Sequence, residues 1–194
     1  MNIQPVRVLI ASALASVAIF FWGFLYWTVI PHPSFTYKNL KQSQLDQFDK
    51  TLAGLDRGTY LNPRMRPYEG ESTEESMERI ESQAFYMISI VPKGVPPMPP
   101  VTFLQAFVHG FASAAILGVL LSMLRNSFCC YSHRLFFVFM IGLFATIWID
   151  SGESIWWFRS CGVTVWHCIY HIGAWLLAGA VMAAIIKPAN LETK

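Results

Sequence analysis

Three histidines set within apolar sequence are the residues of this chain best suited to chemistry. His167 and His171 lie four residues apart in the last hydrophobic stretch, Cys161 to Ile186, and His109 lies in an earlier one. Thr164, His167, His171, Ala174 and Ala178 recur at steps of three or four and so share one helical face. An imidazole facing lipid is costly, so this face is expected to point into a helix bundle. Two histidines on facing helices are what a b-type haem needs as axial ligands, and an i, i+4 pair can chelate zinc or copper. The competing explanation is structural: polar side chains that hydrogen-bond across membrane helices fix packing at about 0.6 to 2 kcal/mol per contact.

Other chemistries lack their parts. His167-x-x-x-His171 has no metalloprotease glutamate, and one such box falls short of the several histidine clusters of membrane hydroxylases. Ser113 and Cys168 are nucleophile types near a histidine, yet no base, orienting carboxylate and oxyanion donor align with them. Asp150 and Glu153 read as solvated carboxylates near Arg159. Cys161 and Cys168 lie seven residues apart on one helix, about 10 Å at ~1.5 Å per residue and beyond disulfide reach. The neighbours Cys129 and Cys130 are a candidate for acylation. No catalytic set emerges.

The elements that must position these residues are membrane-spanning. The chain has 194 residues, 54% hydrophobic and 13% charged, against roughly a quarter charged in soluble domains. A net charge of +2 without a basic run gives no footprint for nucleic acid. Val8 to Ile30 is long enough to cross a ~30 Å hydrocarbon layer. It reads as an uncleaved anchor, with Trp22 and Trp27 as an interfacial belt. Val101 to Leu124 is a second span, with Gly110, Ala114 and Gly118 forming a small-residue face for close helix approach. Leu135 to Ile149 is a third, short unless it continues through Asp150 and Glu153, and Trp156 and Trp157 form a second aromatic belt. Cys161 to Ile186 is the fourth.

Between the first two spans lie eight of the 14 Lys and Arg residues and nine of the 12 Asp and Glu. Leu45, Phe48, Leu52 and Leu55 recur at helical spacing. Gly70 to Ser82 is expected as a second helix, with Ser72 and Glu75 at capping-box spacing. Thr59 to Leu61 is a short extended piece. Ala84 to Val91 reads as a strand covered on both faces, and Pro92 to Pro100 as a stiff linker. Arg7, Arg125, Arg134, Lys187 and Lys194, opposed by Glu192, gather on one side. By the positive-inside rule both termini are then cytoplasmic and residues 31–100 extracytoplasmic. The expected fold is thus an all-α membrane bundle of four transmembrane helices with a small α+β extracytoplasmic domain. It divides at residues 1–30, 31–100 and 101–194.

Phe21-Trp22-Gly23 with Trp27 and Pro31, Gly58-Thr59-Tyr60 with Pro63, Gly94 to Pro99, Trp156-Trp157, and Gly173 to Gly179 together resemble an uncharacterised family of small four-span bacterial inner-membrane proteins. That resemblance implies the topology and a bacterial plasma membrane, and no chemistry. The histidines of the last helix are not part of its pattern. The functional expectation is a non-enzymatic accessory or structural subunit of a larger membrane complex, with the lipid bilayer and other membrane-protein subunits as partners and no cofactor. The alternative is a haem b- or metal-binding electron-transfer protein using His109 with His167 or His171.

Overall fold

A computed structural model of the chain describes residues 3–91, 96 and 98–188. Pro92, Gly94 and Pro97 of the expected linker, and Glu192 and Lys194 of the tail, lie outside the described residues. Two units separate by their internal contacts, one comprising 1–38 with 98–194 and the other 39–97.

The first unit contains four helices long and apolar enough to cross a membrane. Helix α1, Pro5–Phe24, begins with proline in its first turn, where a missing N–H costs nothing. It widens into a π-helical turn at Leu25–Val29 before the chain leaves it through Pro31 and Pro33. Three further long helices are α4 (Pro100–Leu124), α5 (Tyr131–Trp156) and α6 (Cys161–Ile185). The expected third span of Leu135 to Ile149 is therefore too short. It starts at Tyr131 and carries Asp150 and Glu153 inside the helix rather than beyond its end.

Small residues decide how these helices meet. Val8, Ala11, Ser12, Ala15 and Ser16 form a buried stripe on α1, at spacings of three and four that put them on one face. Gly110, Ala114 and Gly118 of α4 are buried as well. A Cβ on Gly110 would come within 3.1 Å of Ser16 Oγ, and one on Gly118 within 3.1 Å of Val8 Cγ1. The small-residue face is thus consumed inside the chain, α1 against α4. Ala174 and Ala178 of α6 are likewise buried, at 5% and 0% exposure. A core of Ala11, Ala15, Ala114, Leu117, Leu121, Val138, Ala178 and Met182 joins all four helices. Helix α1 packs on α4 and α6, and α6 packs on α5, whereas α4 and α5 scarcely touch. The bundle is accordingly open along one side.

The second unit contains α2 (Gln42–Leu52), β1 (Gly58–Asn62), α3 (Thr73–Ser82) and β2 (Tyr86–Ile90). The two strands pair antiparallel, Gly58 opposite Ile90 and Asn62 opposite Tyr86. The capping box forms: the Glu75 amide donates to Ser72 Oγ at 3.2 Å and the Ser72 amide to Glu75 Oε2 at 2.8 Å. Arg79 binds this unit together. Its guanidinium donates to Glu71 Oε1 at 2.7 Å and to the Arg64 carbonyl at 2.9 Å, and it stacks over the Tyr68 ring at 4.8 Å. The expectation that the strand is covered on both faces does not hold within the unit, where Tyr86 and Met87 of β2 are exposed and so are Leu45 and Phe48 of α2. Two five-residue strands and two short helices enclose too little volume to bury them.

Candidate functional site in the bundle cavity

The gap between α4 and α5 opens onto a cavity of about 660 Å³ lined by all four long helices. This lies within the roughly 300–1,000 Å³ of small-molecule and cofactor sites. Helix α1 contributes Phe20, Gly23 and Trp27, and α6 contributes Tyr170 and Trp175, so most of the wall is aromatic or small. The polar exceptions include Ser16, His109, Ser113, Thr146 and His171. Ser16 and Thr146 are occupied with backbone carbonyls, donating to Phe107 at 2.9 Å and Gly142 at 2.8 Å. Ser113 donates to the carbonyl of His109 at 3.0 Å. Such bonds satisfy hydroxyls in a medium without water.

His171 is held differently. Its Nδ1 donates to Asp150 Oδ2 at 2.7 Å, across from α6 to α5. The Asp150 side chain is 2% exposed, and its other oxygen accepts from Arg159 at 3.5 Å. Arg159 in turn pairs with Glu153 at 2.9 Å. Asp150 is therefore a buried carboxyl that orients an imidazole rather than the solvated residue expected. With Nδ1 engaged, Nε2 remains as the ring nitrogen free to meet a ligand. A carboxyl behind one imidazole nitrogen is the arrangement by which proteins orient metal-ligating histidines.

His109 lies nine residues into α4 and His171 ten residues into α6. Both line the same cavity: His109 adjoins Gly110, which faces Ser16 of α1, and His171 adjoins Tyr170, which faces Gly23. His109 makes no side-chain hydrogen bond or ion pair with the described residues. The structure thus brings His109 and His171 to one cavity and sends His167 elsewhere. His167 packs against Trp27, ring centres 5.1 Å apart, with Nε2 at 3.5 Å from the Tyr37 hydroxyl. It belongs to an aromatic layer that includes Tyr26, Trp166 and Tyr170. The Tyr26 hydroxyl donates to the Trp166 carbonyl at 2.7 Å, and the Trp22 indole donates to the Tyr170 carbonyl at 2.9 Å. Trp22 and Trp27 are consequently packing residues between α1 and α6, whereas Trp156 and Trp157 are exposed. The Thr164 hydroxyl is buried without a partner among the described residues, and Gln105 stands outside the cavity wall.

Sequence reasoning missed the role of Asp150 because it read the residue as a solvated carboxylate near Arg159, whereas its side chain is buried. The available signal was that an acidic residue inside an apolar segment needs a partner. A second cluster stands away from the cavity, where the turn after α4 meets the first turn of α5. There Cys129 Sγ lies 3.3 Å from His133 Nδ1, and Cys130 Sγ lies 3.1 Å from Ser132 Oγ. The Ser132 hydroxyl holds the Cys130 thiol below its ordinary range, while Cys130 beside it pushes the Cys129 thiol up.

Fold and site together describe a four-helix bundle of membrane-spanning length with a side-opening cavity and one carboxyl-supported histidine. Comparisons with known protein families, curated proteins and solved structures return no match.

Proposed function

We propose that the protein is an integral membrane protein that holds a cofactor in its bundle cavity, and that the cofactor is haem b ligated by His171 and His109. The observation carrying this reading is the Asp150–His171 bond, which fixes the ring of a cavity-lining histidine and leaves Nε2 for a ligand. His109, which lines the same cavity, would supply a second imidazole of the kind a six-coordinate haem requires. The aromatic and small wall suits a flat apolar ring system, and the opening between α4 and α5 admits it from the bilayer. Haem would supply one-electron chemistry when bound. The protein's share is to orient the ligands, exclude water and set the polarity around them. His167, bonded to Tyr37, is not part of this donor set. Adding haem to ligand-free protein in detergent tests the reading: one equivalent should bind, with a Soret band that His171→Ala removes. A titration that shows only partition into micelles refutes it.

The membrane would be a bacterial inner membrane with Arg7, Arg125, Arg134 and Lys187 on the cytoplasmic side and residues 31–100 outside. A role as non-enzymatic accessory subunit of a larger membrane complex is a second reading. It is favoured by Phe136, Met140, Phe144 and Trp148, which project along one face of α5 at 61, 43, 68 and 75% exposure. Crosslinking from Trp148 replaced by a photoreactive residue distinguishes a protein neighbour from lipid.

A further inference from the structure

The turn that joins α4 to α5 gathers three metal-ligating side chains that the cavity does not use. Sγ of Cys129, Sγ of Cys130 and Nδ1 of His133 all lie within 4.8 Å of one another. The start of α5 is the reason for part of this: His133 stands in its first turn, and the chain enters through the extended N-cap Cys130, which leaves Cys129 beside the His133 ring. An ion with bonds of about 2.3 Å to sulfur and 2.0 Å to nitrogen holds those two donors roughly 3.5 Å apart at a tetrahedral angle. The 3.3 Å between Cys129 Sγ and His133 Nδ1 already matches that separation. All four cysteines are free thiols; Cys129 and His133 are exposed and Cys130 is partly so, leaving a path for an ion from solvent.

We propose that Cys129, Cys130 and His133 form a binding site for one soft, thiolate-seeking cation, Cu(I) or Zn(II). Two thiolates and an imidazole are the donors that such ions select over oxygen ligands. On binding, each cysteine releases its thiol proton to solvent, the two sulfurs and Nδ1 bond to the ion, and no electron moves. Three donors complete a trigonal Cu(I) site, whereas Zn(II) adds a water as its fourth ligand. The Ser132 hydroxyl bonded to Cys130 Sγ supports the ligand from behind. The site is independent of the cavity and of what the cavity holds.

The test uses the full chain, purified in detergent under reductant and checked by intact mass for unmodified cysteines. Cu(I) is delivered from a chromogenic chelator and Zn(II) is titrated in parallel. One equivalent of ion per chain is expected, with roughly 100-fold or greater weakening in the double variant Cys129→Ser/Cys130→Ser. His133→Ala should weaken binding about 10-fold or more. Tighter copper than zinc assigns the site to Cu(I), and the reverse assigns it to Zn(II). Wild-type protein that takes up neither ion better than the double variant overturns the proposal, as does an acyl mass on Cys129 or Cys130. Far-UV circular dichroism on His133→Ala separates a lost ligand from a lost fold.

Discussion

Replacing His171 by alanine in ligand-free protein should cost far more stability than its partly exposed position implies, because the cost falls on Asp150. That carboxyl is 2% exposed and has two partners, Nδ1 of His171 at 2.7 Å and the longer contact with Arg159 at 3.5 Å. Removing the nearer one leaves a buried acidic group dependent on the weaker. Breaking a buried pair in this way costs about 3–5 kcal/mol. For a chain of this length each kcal/mol moves the melting temperature by about 2–4 °C, which gives a fall of roughly 6–20 °C. Asp150→Leu removes the acceptor of the imidazole Nδ1–H and the longer of the two carboxylate contacts of Arg159, which keeps Glu153, a loss of about 1–3 kcal/mol. The double variant Asp150→Leu/His171→Ala should then regain most of the loss, a coupling of about 2 kcal/mol or more. Thermal unfolding followed by circular dichroism in one detergent measures all four proteins. Additive losses, or a His171→Ala melting temperature within about 4 °C of wild type, would refute the reasoning.

Other expectations follow from contacts elsewhere. A Cβ on Gly173 would meet Trp22 Cζ2 at 2.5 Å and Cε2 at 2.8 Å, so Gly173→Ala should destabilise by about 1–3 kcal/mol, with a loss of near-ultraviolet signal as the Trp22–Tyr170 bond is displaced. Gly118→Leu should be worse than Gly118→Ala, since Val8 and Met182 close in on the same spot; unfolding in denaturing detergent ranks them. The Arg79 guanidinium beside Glu71 holds that carboxyl below its ordinary 4.5. A depressed carboxyl contributes stability above its unfolded value and loses it as pH falls through the folded one. The second unit should therefore loosen below about pH 4.5 in a way that Glu71→Gln makes shallower, read by far-ultraviolet circular dichroism.

How far the sequence reveals this molecule differs between its elements. Helices α1, α4 and α6 are legible because each holds an apolar run longer than a bilayer core, and helix α3 because Ser72 and Glu75 state their own capping geometry. The Gly110, Ala114 and Gly118 face is legible as a close-packing face, but its partner is not. That partner is the Val8 to Ser16 stripe of α1, whose 3–4 spacing is present in the sequence and easily lost among larger apolar neighbours. The span of α5 is obscured by Asp150 and Glu153, which resemble a helix end until the buried pairing with His171 and Arg159 explains them. His167 and His171 share a face by spacing, yet the four-residue step overshoots a full turn by about 40°. Tertiary packing uses the difference, turning one toward Trp27 and Tyr37 and the other toward the cavity. Nothing local in the sequence encodes that separation.

If His171 and His109 hold a haem in the cavity, as proposed, the coordination state of haem bound to the full chain decides it. Electron paramagnetic resonance of the oxidised protein should show a low-spin, six-coordinate iron, and His109→Ala should convert it to a five-coordinate high-spin form while His167→Ala leaves it unchanged. A high-spin wild type, a His109→Ala spectrum identical to wild type, or a protein that takes up no haem would contradict the account.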